Sequence, residues 1–315
     1  MTEADGFDDE VLSEGSPELD ADWVRALALR HYGIEGEMRP LTGERDRNYR
    51  FESARTGERF MLKISHPSET PLVADFQTQA LLHIAAADAG LPVQRIVPTR
   101  EGQSSFLSDP GDGLPRVTRL FSYLPGLPMP DAPRTSTQQL NLARTLARLD
   151  LALRGFDHPA GALALPWDIQ RANSVRGLLQ HIADPARRAL AERSLDRFGR
   201  DARPVLAGLR TQPIHNDFNI YNVLVAPGDT DRIAGVLDFG DMVRAPLIDD
   251  LAVAAAYQLD PAGDALAGIV PFVAFDREGE GQVVLAHRIR ERREALVHAV
   301  LGLPQVAHDD VAGED

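Results

Sequence analysis

Two short strand-like segments, each with polar residues at one end, constrain this chain more than any other part of its sequence. The first is the pattern His-x-Asp-x-x-x-x-Asn at residues 215–222, which leads directly into an apolar strand. The second is an apolar strand that ends in Asp238-Phe239-Gly240. The turn between them predicts an antiparallel hairpin, in which the start of one strand lies beside the end of the other. We therefore expect Asn222 and Asp238 to be neighbours.

The residue types at this hairpin indicate a metal site beside a polar acceptor. The amide oxygen of Asn222 and the carboxylate of Asp238 are hard oxygen ligands of the kind that Mg²⁺ prefers. Asp217 lies on the loop that enters the hairpin, where a carboxylate can accept or orient the proton of a hydroxyl group. The pattern predicts that Asp217 is catalytic and that Asn222 and Asp238 bind the metal.

This arrangement resembles the catalytic layout of the protein-kinase fold, and most closely its aminoglycoside phosphotransferase and choline kinase branch. Within that branch, residues 147–150, 155–159 and 167–168 are similar to hydroxylysine kinase and its bacterial relatives. The resemblance covers about residues 35–270. It implies an α+β, bilobal protein-kinase-like fold with a small antiparallel-sheet N-lobe and a mostly helical C-lobe. It also implies Mg²⁺ as cofactor and ATP or GTP as co-substrate.

The single lysine of the chain gains a role from this resemblance. Of 33 basic residues, only Lys63 is not arginine, and it lies in the apolar strand-like segment Phe60–Ile64. In the fold that the chain resembles, a lysine on such a strand contacts the α- and β-phosphates and pairs with a helix glutamate. The compact ammonium differs from a guanidinium in shape and donor geometry. We expect Lys63 to bind the nucleotide phosphates, the alternative being a surface lysine on a polar face.

The rest of the nucleotide site departs from the family pattern in two places. The helix after Lys63 offers Gln77 or Gln79 where a glutamate is expected; Gln77 is favoured, and Glu69 could substitute. The loop at residues 41–48 has a single glycine, and it also has the turn residues and amides needed to cover phosphates. The inter-lobe segment at 119–123 is expected to meet the purine. The predicted nucleotide-binding residues are thus Lys63, Gln77, Thr42, Gly43, Asn48, Phe121 and Tyr123.

Further residues near the hairpin are predicted to support it or to contact the substrate. His215 and Asp250 are expected to brace the catalytic loop, since an unpaired buried carboxylate would be costly. Asp241 and Asp249 are either solvated charges or part of an acidic substrate mouth that includes Asp168. Trp167 is either a packing residue or a cation–π wall. The candidate substrate residues are Asp241, Asp249, Trp167 and Asp168.

The charge distribution excludes several classes of protein. The net charge is −14, but nine acids and no bases fall within residues 1–22 and four acids and no bases within residues 309–315, so that the body is nearly neutral. No basic stripe of the kind that nucleic-acid binding requires is present, and no apolar segment is long enough to span a membrane. The chain has no cysteine, which excludes disulfides, zinc–thiolate sites and thiol nucleophiles. We expect a cytoplasmic protein with no nucleic-acid or membrane partner, and the oligomeric state stays open.

Composition and the coarse helix and strand patterns predict four segments. These are an acidic disordered tail at 1–22, a nucleotide-binding N-lobe at 23–122, a catalytic and substrate-binding C-lobe at 123–302 and an acidic tail at 303–315. Residues from about 276 do not resemble the family's ending, and a helix is predicted at 286–301. P-loop, dinucleotide-binding, zincin and serine hydrolase motifs are all missing from the sequence.

The sequence therefore predicts a phosphotransferase that moves the γ-phosphate of ATP or GTP to a hydroxyl of a small, amine-bearing substrate, with a hydroxylysine-like amino alcohol favoured by the resemblance. An aminoglycoside- or homoserine-type kinase is the alternative in the same class. The alternatives in another class are a nucleotide-binding, kinase-like regulator without turnover and a module of a larger fused enzyme.

Overall fold

The structure, a computed structural model, describes residues 17–43, 45–165, 167–259 and residue 268. The first element is helix α1 (Ala21–Leu27), which continues as one π-helical turn to Tyr32. The Asp20 side chain accepts a hydrogen bond from Trp23 N and begins the helix. Gly33 ends it in the left-handed conformation at φ 70°, which glycine adopts without the steric cost that other residues have there. The helix thus begins inside the segment predicted to be a tail.

An antiparallel sheet follows α1 and forms the framework of the N-lobe. Its strand order is β1-β2-β3-β6-β4, with β5 also paired to β6. The register places Asn48 on β2 and Arg119 on β6 directly beside Lys63 on β3. The bounds are β1 (Gly36–Leu41), β2 (Arg47–Ser53), β3 (Arg59–Ile64), β4 (Ile96–Val97), β5 (Phe106–Ser108) and β6 (Arg116–Ser122).

Both faces of this sheet are covered. On one face, Val24 of α1 and Ala28 of the π-helical turn pack against Leu62, Ile64 and Leu120 of the sheet. The long helix α2 (Pro71–Ala87) follows β3; Thr70 accepts a hydrogen bond from Val73 N at its start, and Pro71 occupies its first position. Because strand side chains alternate between faces, burial of Leu62 and Ile64 in β3 directs Lys63 to the opposite face.

The C-lobe is mostly helical. It contains α3 (Ser136–Ala152), a long 3₁₀ segment (Ile169–His181), α4 (Pro185–Arg197), a π turn (Phe198–Ala202), α5 (Arg203–Leu206) and α6 (Leu247–Ala256). Two small sheets interrupt the helices. One has the order β10-β9-β7 and the other pairs β8 with β11; their bounds are β7 (Leu127–Pro128), β8 (Thr211–Ile214), β9 (Val223–Ala226), β10 (Asp229–Val236) and β11 (Val243–Pro246).

One hydrophobic core runs through both lobes. It joins Phe76 of α2 and Phe121 of β6 to Leu142 of α3 and to Val223 and Phe239 of the hairpin region. The α+β class with an antiparallel N-terminal sheet and a helical C-terminal part is confirmed. β7 was not predicted, because it lies in a proline-rich connector. Residues 1–16, the predicted helix at 286–301, the divergent segment after 276 and the tail at 303–315 lie outside the described residues.

Candidate active site

The predicted hairpin is present and brings the two candidate metal ligands together. Val223 of β9 pairs with Val236 of β10, and Leu237 N donates to Asn222 O at 2.8 Å. Asp238 follows immediately, in a left-handed conformation at φ 55° that is uncommon for residues other than glycine. The backbone at this point is thus held in a strained conformation by its surroundings, as is frequent at functional sites.

The side chain of Asn222 is oriented by Asp217. Its Nδ2 donates to Asp217 Oδ2 at 2.7 Å and to Asp217 O at 3.0 Å. The amide nitrogen is therefore used, and the Asn222 oxygen remains as the ligand atom. Asn219 Nδ2 donates to the other Asp217 oxygen at 2.7 Å. Asp217 is thus fixed at both oxygens, each of which keeps a lone pair.

The oxygens of Asn222 and Asp238 fit a hard divalent cation. Asp238 Oδ1 accepts from Gly240 N at 3.0 Å, which leaves its second oxygen for a ligand. Within the described residues, no group of three or more His, Cys, Asp and Glu side chains could hold a metal ion. Mg²⁺ is commonly bound by one or two protein oxygens, with phosphate oxygens and water completing its coordination.

His215 and Asp250 lie beneath this loop. Asp250 on α6 accepts from His215 N at 2.9 Å and from Asn216 N at 2.7 Å. The His215 ring donates from Nε2 to Leu237 O at 2.9 Å and accepts from Asp217 N at Nδ1, at 3.3 Å. Both ring nitrogens of His215 are thus used in holding the loop. Both residues connect the catalytic loop to the rest of the C-lobe.

Lys63 lies across the cleft and pairs with an acid that sequence reasoning missed. Its Nζ is 2.6 Å from Asp46 Oδ2, and only 14% of its side chain is exposed. Burial opposes the charged form, but the charges of Asp46 and Asp238 outweigh it and raise the pKa of Lys63. Asp46 lies in the loop between β1 and β2, where turn-type residues give no signal of such a contact.

Gln77 lies against Arg119 and not against Lys63. Arg119 is fully buried and donates to Gln77 Oε1 at 2.9 Å and to Glu69 Oε1 at 3.1 Å. Gln77 Nε2 reaches Gly240 O at 3.4 Å. The helix position at which a glutamate was expected therefore connects a buried arginine to the loop after Asp238, because Arg119 occupies the space between α2 and the sheet.

A cavity of about 850 Å³ between the lobes collects most of the predicted residues. Those that line it are Thr42, Gly43, Asn48, Lys63, Trp167, Asp217, Asn222, Asp238 and Asp241. Phe121 and Tyr123 are not among its lining residues: Phe121 is packed in the core, and Tyr123 N donates to Arg59 O at 3.1 Å. Arg45, Arg171 and Ser174 also line the cavity, although no sequence pattern singles them out.

Of the three acids considered for the acidic substrate mouth, Asp241, Asp249 and Asp168, one lines the cavity. Asp241 lines the cavity, and desolvation together with the charges of Asp238 and Asp217 raises its pKa to about 6, against which a hydrogen bond from Trp167 acts. Asp168 and Asp249 are only 4% and 1% exposed and are not lining residues. Asp168 instead begins the 3₁₀ segment by accepting from Gln170 N at 2.9 Å. Both carboxyls are thus buried, and neither is a solvated charge or part of a substrate mouth.

The fold and the site together define a phosphotransferase of the protein-kinase-like type. The family model described as the phosphotransferase enzyme family (APH) matches residues 37–280. The chain therefore belongs to this family, which confirms the predicted branch and the prediction of a small-molecule kinase.

Individual proteins agree with this assignment. The chain is 30% identical over 279 residues to hydroxylysine kinase of Danio rerio, covering 81% of this chain and 76% of that protein. Two solved structures share the fold: a microcompartment-associated aminopropanol kinase (TM-score 0.65, 21% identity, 92% of this chain and 91% of that one) and amicoumacin kinase in complex with AMP-PNP and Ca²⁺ (TM-score 0.64, 13% identity, 92% and 89%). Among the described residues, no helix has the length and apolar character needed to cross a membrane.

Proposed function

We propose that this protein transfers the γ-phosphoryl group of ATP or GTP to a hydroxyl of a small amine-bearing molecule, with a hydroxylysine-like amino alcohol as the favoured acceptor. The observation that carries this proposal is that one cavity is lined by Asp217, by Asn222 and Asp238, and by Lys63. A candidate base, a pair of metal-binding oxygens and a phosphate-binding cation are the parts that phosphoryl transfer requires.

In this mechanism, Asp217 receives the acceptor hydroxyl on a carboxylate oxygen whose orientation is fixed by Asn219 and Asn222. The bond between the hydroxyl oxygen and the γ-phosphorus forms, the bond to the bridging oxygen of the nucleotide breaks, and the hydroxyl proton passes to Asp217. Lys63 binds the phosphates and exchanges part of its contact with Asp46 for them. Asn222 and Asp238 would hold Mg²⁺, which when bound neutralises phosphate charge.

The charge of the cavity supports an amine on the acceptor. Asp217, Asp238 and Asp241 lie on its C-lobe wall, and an ammonium group beside Asp241 would favour the ionised form of that carboxyl. Arg171 is the only Arg, Lys or His among the described residues of the C-lobe that line the cavity. The names of the relatives, hydroxylysine kinase and aminopropanol kinase, agree with a hydroxylated amine.

The test is a transfer assay with ATP and GTP against hydroxylysine, homoserine, an amino alcohol without a carboxylate, and an aminoglycoside, with the phosphorylated product detected by mass spectrometry. We expect product with a hydroxylated amine and none with the Asp217→Ala variant, which should still bind nucleotide. Nucleotide binding without product from any acceptor would instead favour a regulator. Product from an acceptor without an amine would overturn the substrate proposal.

Two predictions about the cell and its partners accompany this proposal. A cytoplasmic location and the absence of nucleic-acid and membrane partners stay predictions from composition. We also propose that Thr42, Gly43 and Asn48 cover the phosphates, which their place in the cavity lining supports. A contact of the segment at 119–123 with the purine also stays a prediction, and it would be made by the backbone, since the Phe121 side chain is packed in the core.

A further inference from the structure

A second carboxyl group lies beneath the catalytic loop. Asp150, in the last turn of α3, is within hydrogen-bonding distance of the Asp250 carboxyl on α6. Asp250 is fully buried, and so is the Oδ1 atom of Asp150. Two carboxylates without a proton repel each other and have only acceptor atoms, so they form a hydrogen bond only when one of them keeps a proton.

The hydrogen bonds decide which member of the pair is ionised. Both Asp250 oxygens accept backbone N–H groups, from His215 at 2.9 Å and Asn216 at 2.7 Å. Such bonds to a carboxylate favour its charged form. Within the described part of the chain, no N–H group donates to the Asp150 carboxyl, whose Oδ1 has no donor. Asp150 is therefore the member that retains the proton.

The charged groups around the pair do not remove the need for a proton on Asp150. Arg210 attracts Asp150 from the side of β8, and Asp249 adds a further acid beside Asp250. His215, whose N–H donates to Asp250, uses both ring nitrogens in hydrogen bonds to Leu237 O and Asp217 N, and its attraction acts on the pKa of Asp250 in the lowering direction. Burial, followed by the charge of its partner, raises the pKa of Asp150 well above its ordinary value, and burial also raises the pKa of Asp250.

We propose that Asp150 is a positioning residue that donates its proton to Asp250 and thereby fixes the backbone that leads into Asp217. The position matters because Asn216 adopts a left-handed conformation at φ 64°, which residues other than glycine rarely adopt without support. The two N–H groups held by Asp250 are those of Asn216 itself and of the residue before it, His215. When Asp150 loses its proton at alkaline pH, two negative charges face each other and the support of the loop weakens.

Two substitutions separate this role from simple packing. Asp150→Asn keeps a donor that does not titrate, whereas Asp150→Leu removes it. We expect the wild-type kcat to fall at alkaline pH, whereas the Asn variant should keep its neutral-pH kcat at alkaline pH as well. The Leu variant should lose about 10- to 100-fold in kcat with an unchanged nucleotide KM, since small misplacements of a catalytic group cost about this much. The control is Asp229→Asn, an exposed aspartate, whose pH profile should equal that of the wild type.

The kinetic test of this inference rests on the proposed function. A measurement that needs no turnover keeps the two separate. Hydrogen exchange at the His215 and Asn216 amides, corrected for the intrinsic effect of pH, should show protection that is lost at alkaline pH in the wild type and kept in Asp150→Asn. If both proteins lose protection equally, the proposal is wrong even when the enzyme is active. If the exchange result holds but no acceptor is phosphorylated, only the proposed function fails.

Discussion

Replacing Lys63 by arginine tests the nucleotide site most directly. Lys63 lies between Asn48 and Arg119 on the neighbouring strands, and its ammonium is 2.6 Å from Asp46. An arginine keeps the charge, so that the pair with Asp46 and the fold should survive. Its larger planar head, however, cannot occupy the same position beside a second buried guanidinium. We therefore expect the contact with phosphate to be displaced and lost.

The size of the loss follows from the type of contact. A hydrogen bond to a charged group contributes about 1.5–3 kcal/mol, and each 1.36 kcal/mol corresponds to a factor of ten in rate. One lost contact should therefore lower kcat/KM for the nucleotide by about 10- to 150-fold. The assay is steady-state kinetics with varied nucleotide, together with a thermal melt that checks folding.

The matched control is Arg59→Lys, the reverse exchange at an exposed position of the same strand, where Arg59 pairs with Glu52 at 3.0 Å. It should leave both kcat/KM and the melting temperature unchanged. A folded Lys63→Arg enzyme with wild-type kcat/KM would refute the reasoning and would make the single lysine an accident of composition.

Three further substitutions test the buried surroundings of the site. Burial and the charges of Asp168 and Asp250 raise the pKa of Asp249 to about 7 in the folded state, so the folded protein loses stability as the pH rises from about 4 to 7. Asp249→Asn should remove this loss and gain up to about 4 kcal/mol over the wild type across that range, as measured by urea unfolding. Parallel curves of stability against pH for the two proteins would contradict this. Gln77→Leu removes an acceptor from Arg119 (2.9 Å) and should lower the free energy of unfolding by about 1–3 kcal/mol, a result that an unchanged urea midpoint would exclude. Gly126→Ala would bring a Cβ atom within 2.6 Å of Leu224 Cβ and should cost about 1–3 kcal/mol in the same assay; wild-type stability would show that the two segments separate easily.

The parts of the site that the sequence could predict are those encoded locally. The hairpin at 222–238 follows from two apolar strands and a turn, so its pairing brings Asn222 and Asp238 together without any long-range information. The helix predicted after Lys63 is likewise present, over residues 71–87. Lys63 was found because its strand context and its uniqueness are both visible in the sequence.

The parts that could not be predicted depend on contacts between distant segments. Asp46 meets Lys63 only because β1 and β2 place their loop over β3, and a turn-rich loop carries no periodic signal. The sequence leaves Asp249 open between a solvated charge and part of a substrate mouth, whereas the structure buries it. Its burial results from the packing of α6 against the catalytic loop, which no local pattern encodes.

The two basic residues that face each other across β3 and β6 show why the chain keeps a lysine at one position and an arginine at the other. Arg119 is buried, and its two terminal nitrogens donate to Ala74 O, Gln77 Oε1, Ser65 Oγ and Glu69 Oε1 at 2.9–3.3 Å. Only the forked guanidinium reaches four acceptors spread over a strand end and a helix. Lys63 has one acidic partner and lines the cavity, so it has donors left for phosphate. A compact ammonium can turn from Asp46 toward a ligand, whereas a planar group fixed by several acceptors cannot. In the proposed mechanism, the single lysine of the chain thus occupies the position where a basic side chain would change its partner during the reaction.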